Sequence, residues 1–70
     1  MPTVTEEVFR GIRERFGRMT VMELARRLYV VGEGDVSRYY LDGCLACEVR
    51  FHPGDIGRVP NWEIMWHAAA

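Results

Sequence analysis

Four residues in the C-terminal half have side chains that bind metals or act as nucleophiles. Cys44 and Cys47 are separated by two residues, and His52 and His67 follow them. Cys-x2-Cys-x4-His is the spacing of a zinc knuckle, and a thiol near an imidazole is the minimal pair for nucleophilic catalysis. However, the two cysteines lie in an alternating pattern typical of a strand, where residues three apart point to opposite faces. We therefore predict no metal site, no cofactor and no enzymatic activity.

The charge balance excludes a second class of function. The 70 residues include nine arginines, no lysine and ten acidic residues, so the net charge is −1. A chain-wide positive field that attracts nucleic acid or anionic membranes is excluded, and such binding must be local. The length and the 49% hydrophobic content predict one globular domain over residues 1–70 that does not bind membranes. The two closely spaced cysteines and the lack of a leader-like N-terminus predict a cytoplasmic protein.

Two Thr-x-x-Glu capping boxes, starting at Thr3 and Thr20, predict two N-terminal helices. Apolar residues follow each box at the spacing of one buried helical stripe. Gly17 is placed to end the first helix. The second helix could continue through Val31, although two of its last three residues are β-branched, and a turn is predicted at Gly32–Asp35.

Two alternating segments predict a C-terminal β-hairpin. Apolar residues occupy every second position from Leu45 to Phe51 and again from Trp62 to Trp66. The segment between them, residues 52–60, contains two prolines and two glycines, which suits a long hairpin loop.

The segment Val36–Gly43 decides between two folds. As a helix, it begins at an Asp35 cap and ends at Gly43. The fold is then α+β, with two or three N-terminal helices followed by a C-terminal antiparallel hairpin. As a strand, it is joined to residues 44–51 by a type I′ turn at Asp42 and Gly43. The alternative fold is then two helices packed on a three-stranded antiparallel meander.

Two stretches of the chain resemble the helix-turn-helix of winged-helix regulators. Met19–Leu28 is similar to the first helix of that motif, and Asp35–Tyr40 is similar to the start of its recognition helix. The resemblance implies a third helix, a β-ribbon wing, and a small DNA-binding transcriptional regulator that acts as a dimer.

The resemblance also implies which residues contact double-stranded DNA. Ser37 and Arg38 match the N-terminal positions of the recognition helix, which lie at base edges in the major groove. The Arg38 guanidinium could bind guanine in a bidentate manner. Thr20, Arg50 and Arg58 would contact phosphates. Because acidic residues surround these positions, we expect a monomer to bind weakly and a dimer to be required.

The aromatic residues favour a different function. Tyr29, Tyr39, Tyr40, Trp62 and Trp66 exceed what a core of this size can bury, since a small domain buries only about 60% of its unfolded surface. Tyrosine and tryptophan also dominate interface hot spots. We therefore predict a homodimer or a protein partner. The predicted interface consists of Tyr39, Met65 and Trp66. The alternative function is a protein-binding module, an inhibitor or adaptor of a larger complex, which uses its aromatic β-ribbon.

Overall fold

Two helices precede a four-stranded antiparallel sheet in the computed structural model, which describes residues 3–67. The helices are α1 (Val4–Phe16) and α2 (Val21–Arg27). The strands are β1 (Leu28–Glu33), β2 (Val36–Leu41), β3 (Cys44–Phe51) and β4 (Trp62–Trp66), which lie side by side in chain order. The predicted α+β class is confirmed. No helix within residues 3–67 is long and apolar enough to span a membrane.

Both capping boxes form. The Thr3 hydroxyl accepts a hydrogen bond from the Glu6 amide at 3.2 Å, and the Thr20 hydroxyl accepts one from the Glu23 amide at 3.1 Å. Each bond satisfies one of the amides that a helix start leaves unpaired. Gly17 follows α1 with a φ of 107°, which disfavours side chains.

The second helix does not continue through Val31. Helix α2 ends at Arg27, and β1 begins at the next residue. Tyr29, Val30 and Val31 are aromatic or β-branched and favour an extended backbone, which here gains a full ladder of hydrogen bonds to β2. The turn after β1 is accordingly shorter than predicted and starts at Gly34, with a φ of 59°.

The helical interpretation of residues 36–43 is wrong, because this segment forms β2 and a tight turn. Strand β2 pairs with β1 on one side and with β3 on the other, so both neighbours satisfy its backbone groups. Asp42 and Gly43 have φ values of 51° and 83°, positive as a type I′ turn requires. The sheet has one strand more than the predicted three-stranded meander, because no strand was predicted over residues 28–33.

The core lies between the helices and one face of the sheet, which we call the inner face. Ile12 and Leu24 are fully buried on the helical side, and Cys47 and Val49 are fully buried on β3. Tyr39 lies opposite Cys47 in the sheet and belongs to the same core. The other face, here the outer face, carries no helix among residues 3–67.

Trp66 joins β4 to α1. Gly11 of α1 is buried, and a Cβ atom at this position would lie 2.1 Å from Cζ2 of Trp66. The guanidinium carbon of Arg15 lies 4.1 Å from the centroid of the Trp66 ring, within the range of a cation–π interaction. The absent side chain at Gly11 therefore lets the indole pack directly on the helix.

Candidate interaction surface

The residues predicted to bind DNA do not share one surface. Thr20 caps α2, and its hydroxyl bonds to Glu23. Ser37 is half-buried on the inner face, opposite Val49. Arg38, the next residue on β2, therefore points to the outer face. The two residues expected at base edges thus lie on opposite sides of the sheet.

Carboxylates neutralise two of the three predicted arginines. Arg38 lies 3.2 Å from Glu33 and 3.6 Å from Glu48. Arg58, in the loop before β4, lies 3.7 Å from both Asp55 and Glu63. Arg50 is exposed on β3 and lies opposite Glu63 in the sheet. The predicted DNA-contacting arginines therefore offer little free positive charge to a phosphate backbone.

The metal-ligating residue types are also separated. Cys44 is exposed, whereas Cys47 is buried in the core, and burial raises the pKa of the Cys47 thiol to about 11. His52 lies beside Glu63 at 3.2 Å, and His67 lies 3.8 Å from Glu48. Within residues 3–67, no group of three or more His, Cys, Asp or Glu side chains could hold a metal ion.

Tyr39, predicted as a partner contact, lies in the hydrophobic core. Its side chain is only 8% exposed, because it lies on the inner face under the helices. Burial also raises the pKa of its hydroxyl. Trp66 is half-buried against α1, and Met65 is half-buried on the outer face opposite Glu48. The aromatic side chains of the C-terminal ribbon thus serve mainly to attach the sheet to the helices.

The most exposed aromatic surface lies at the other end of the sheet. Tyr29 of β1 is 66% exposed and lies opposite Tyr40 of β2, with the ring centroids 6.2 Å apart. Together with Val31 and Gly43, the two tyrosines line a groove of about 540 Å³ on the outer face. The aromatic content of the sequence includes these two tyrosines but does not give their position in the sheet. The uncharged run from Leu28 to Gly32 marks the strand that carries Tyr29, but it does not show that this strand lies at the sheet edge.

Strand β1 is also an open edge of the sheet. The Asp42 amide donates a hydrogen bond to the Arg27 carbonyl at 3.1 Å. Bonded and non-bonded pairs alternate along an antiparallel ladder, so this bond fixes the pattern for the whole of β1. In the register of β1 and β2, the backbone groups of Leu28, Val30 and Gly32 point away from β2. No strand within residues 3–67 covers them.

The neighbouring turn and helix support this assignment. Glu33 and Val36 flank a two-residue turn and pair in the register, and such a closing pair is hydrogen-bonded. One outward donor is already used, since the Leu28 amide donates to the Leu24 carbonyl at the end of α2. The free edge therefore offers the carbonyl of Leu28 and both backbone groups of Val30 and Gly32.

Side chains around this edge are also poorly covered. Val30 points to the inner face, yet it is 47% exposed, so the helical layer stops short of β1. The start of β1 is held in place by Arg27, whose Nε and Nη2 atoms bond the Asp42 carboxylate at 3.1 and 2.5 Å. These bonds lower the pKa of the Asp42 carboxyl. The start of β1 thus has one surface ion pair to the adjacent turn, while its outer edge is not covered.

Comparisons with family models, with curated proteins and with solved structures find no match to this chain. Any assignment of function therefore rests on the geometry of its own residues, and the open β1 edge with its tyrosine groove is the feature best placed to bind a ligand.

Proposed function

We propose that this protein is a small protein-binding module that binds an extended chain segment by strand addition at β1. The observation that carries the proposal is the set of outward backbone groups at Val30 and Gly32, beside an exposed apolar groove. In strand addition, backbone hydrogen bonds supply affinity, and pockets for alternate side chains supply specificity.

The sequence of β1 supports a binding role. Natural proteins protect edge strands with charges, prolines or short length. Strand β1 is six residues long, contains no proline, and has no charge before its last residue, Glu33. The other edge strand, β4, has five residues, carries Glu63 in its second position and begins two residues after Pro60. Only β1 lacks these protective features.

The geometry also specifies the chemistry of the bound segment. In an antiparallel complex, its backbone must present a donor and an acceptor opposite Val30 and an acceptor opposite the Gly32 amide. Side chains that point to the outer face would meet Tyr29 and Val31, so an apolar residue is expected there. Such a residue would remove water from the exposed Tyr29 ring, and apolar burial stabilises by about 25 cal/mol per Å².

A DNA-binding regulator has less support. Residues 36–41 form a strand, and Arg38 is paired with two glutamates. We expect no binding to a mixed-sequence duplex in fluorescence anisotropy at about 50 mM salt, where phosphate contacts are strong. Salt-sensitive binding that is lost in Arg38→Ala would instead support the regulator.

The proposal can be tested by methylating single backbone nitrogens. A chain of this length can be assembled by chemical synthesis, with N-methylvaline at position 30 or N-methylisoleucine at position 64. The Val30 amide points to the open edge of β1. The His52–Asn61 hydrogen bond makes Asn61, and every second residue after it, a bonded partner of β3. Ile64 lies between two such residues, so its amide points to the open edge of β4. Each change thus removes one outward donor and leaves the internal ladder intact.

The binding assay uses octapeptides selected from a random phage-displayed library on the unmodified protein. We expect the selected peptides to alternate apolar and polar residues. Methylation at position 30 should weaken their binding by at least about tenfold, because it removes a backbone hydrogen bond and the methyl group also clashes with the bound strand. Methylation at position 64 should leave their binding unchanged. Equal binding to both methylated chains, or no enrichment at all, would contradict the proposal.

A further inference from the structure

We infer that the segment bound at β1 is strand β1 of a second copy of the chain, so that two sheets join across a two-fold axis. This inference rests on the proposed function and names its partner. A two-fold axis requires one surface to be complementary to itself. The backbone, the side chains and the charges of β1 each meet that requirement.

The backbone groups match when Val30 of one copy lies opposite Val30 of the second copy. The two Val30 residues then exchange a reciprocal pair of hydrogen bonds, as in a bonded pair of an antiparallel ladder. Each Gly32 amide meets the Leu28 carbonyl of the other copy. The Leu28 amide already donates to the Leu24 carbonyl, so the Gly32 carbonyl receives no donor from the second copy in this register.

The side chains fit the same register. On the outer face, Tyr29 of one copy lies opposite Val31 of the second copy, an aromatic and β-branched pair of the kind that stabilises sheets. The tyrosine grooves of the two copies then lie side by side. On the inner face, the half-exposed Val30 side chains meet each other. Leu28 faces Gly32, where a Cβ atom would meet nothing within 4 Å, so space is available.

The charges favour an antiparallel arrangement. Arg26 and Arg27 precede β1, whereas Glu33 and Asp35 lie at its end. Arg27 is paired with Asp42 and Glu33 with Arg38, but Arg26 and Asp35 form no ion pair within residues 3–67. Antiparallel pairing brings the basic start of one strand to the acidic end of the other. Parallel pairing would bring like charges together.

The size of the contact predicts a reversible dimer. Pairing of two six-residue edges is a small contact, and interfaces that bury less than about 1,200 Å² are typical of weak, transient complexes. We therefore expect monomer at low micromolar concentration and dimer at high micromolar concentration.

Sedimentation equilibrium of the full chain from about 1 to about 500 µM tests self-association, because the average molecular mass of a reversible dimer rises with concentration. We expect the mass to rise from monomer to dimer. N-methylation at position 30 should hold the chain as a monomer, and methylation at position 64 should not. A chain that stays monomeric over the whole range overturns the inference. In that case, peptide binding at β1 in the display experiment would show that the proposed function survives.

Disulfide trapping tests the register in a Cys44→Ser background, which removes the exposed native thiol. In the proposed dimer, Val30→Cys places two thiols in directly opposed positions, with Cα atoms about 5.5 Å apart, within disulfide range. We expect this variant to form a covalent dimer under mild oxidation. Glu63→Cys, an exposed position on β4, is the matched control and should not. Preferential dimerisation of the Glu63→Cys variant overturns the inference.

Discussion

The two edges of the sheet are built from similar residues but are used differently. Strand β4 points Trp62, Ile64 and Trp66 to the inner face, where they pack against the core. Strand β1 leaves Tyr29 and Val30 exposed, on opposite faces. The aromatic content alone did not distinguish the two edges. The position of α1, which covers β4 through Trp66 and does not cover β1, makes one edge structural and leaves the other free to bind.

The largest expected effect is a difference in folding stability between variants at the two edges. Trp66→Ala removes the indole that packs on α1, and it should lower the free energy of unfolding by about 3 kcal/mol, as for other large aromatic truncations. Tyr29→Ala should cost less than about 1 kcal/mol in the monomer, because that ring is exposed. Urea unfolding at low protein concentration measures both. Equal losses would contradict the distinction between the edges.

A side chain added under Trp66 should have the next largest effect. Gly11→Ala places a Cβ 2.1 Å from the indole, so we expect a loss of about 2 kcal/mol from overpacking. Gly54→Ala, where a Cβ meets nothing within 4 Å, is the matched control and should be nearly neutral. In the double variant with Trp66→Ala, the effect of Gly11→Ala should largely vanish, since the clashing ring is gone. Additive effects in this cycle would exclude the proposed contact.

The cap of α2 should contribute less. Thr20→Ala removes the acceptor for the Glu23 amide and should cost about 1 kcal/mol in thermal or urea unfolding. Thr5→Ala, at an exposed position inside α1, provides the control and should cost nothing. Because Thr20 acts as a cap, its loss should lower stability whether or not nucleic acid is present.

The smallest effect concerns the start of β1 and depends on pH. Hydrogen bonds from Arg27 lower the pKa of the Asp42 carboxyl in the folded state. The ionised carboxylate therefore stabilises the fold at pH values above its pKa in the unfolded chain, which is about 3.9. This stabilisation is lost as the pH falls through the lower pKa of Asp42 in the folded state. Asp42→Asn retains a residue that tolerates the positive φ of the turn. The variant should therefore lose less stability than the wild type on acidification below about pH 4, measured by urea unfolding. Parallel pH profiles would show that the ion pair is not stabilising.

Local signals in the sequence were sufficient to predict the boundaries of some helices and strands. The Thr-x-x-Glu boxes mark the starts of α1 and α2, and the Asp42-Gly43 turn marks the end of β2. The start of β1 carries no such mark. The helical periodicity that begins at Val21 continues through Leu28, and only pairing with β2 decides that Tyr29 and its neighbours are extended.

The candidate site was harder to predict than the fold. Tyr39 and Tyr40 are adjacent, and the register between β2 and β3 shifts between them. Strand β2 pairs with β1 without interruption, so the two tyrosines point to opposite faces, and residue type does not decide which of them points inward. Whether β1 lies at an edge is likewise a property of the whole sheet. The sequence could predict an excess of aromatic surface, but not which strand exposes it.

Amide hydrogen exchange resolved by residue tests the central claim most directly, because it reports the protection of single edge amides. We expect the Val30 and Gly32 amides to exchange rapidly at low micromolar concentration and to become protected as the concentration rises, while Ile64 stays unchanged. Rapid exchange of Val30 and Gly32 at every concentration, or new protection at Ile64 instead, would contradict the assignment of β1 as the binding edge.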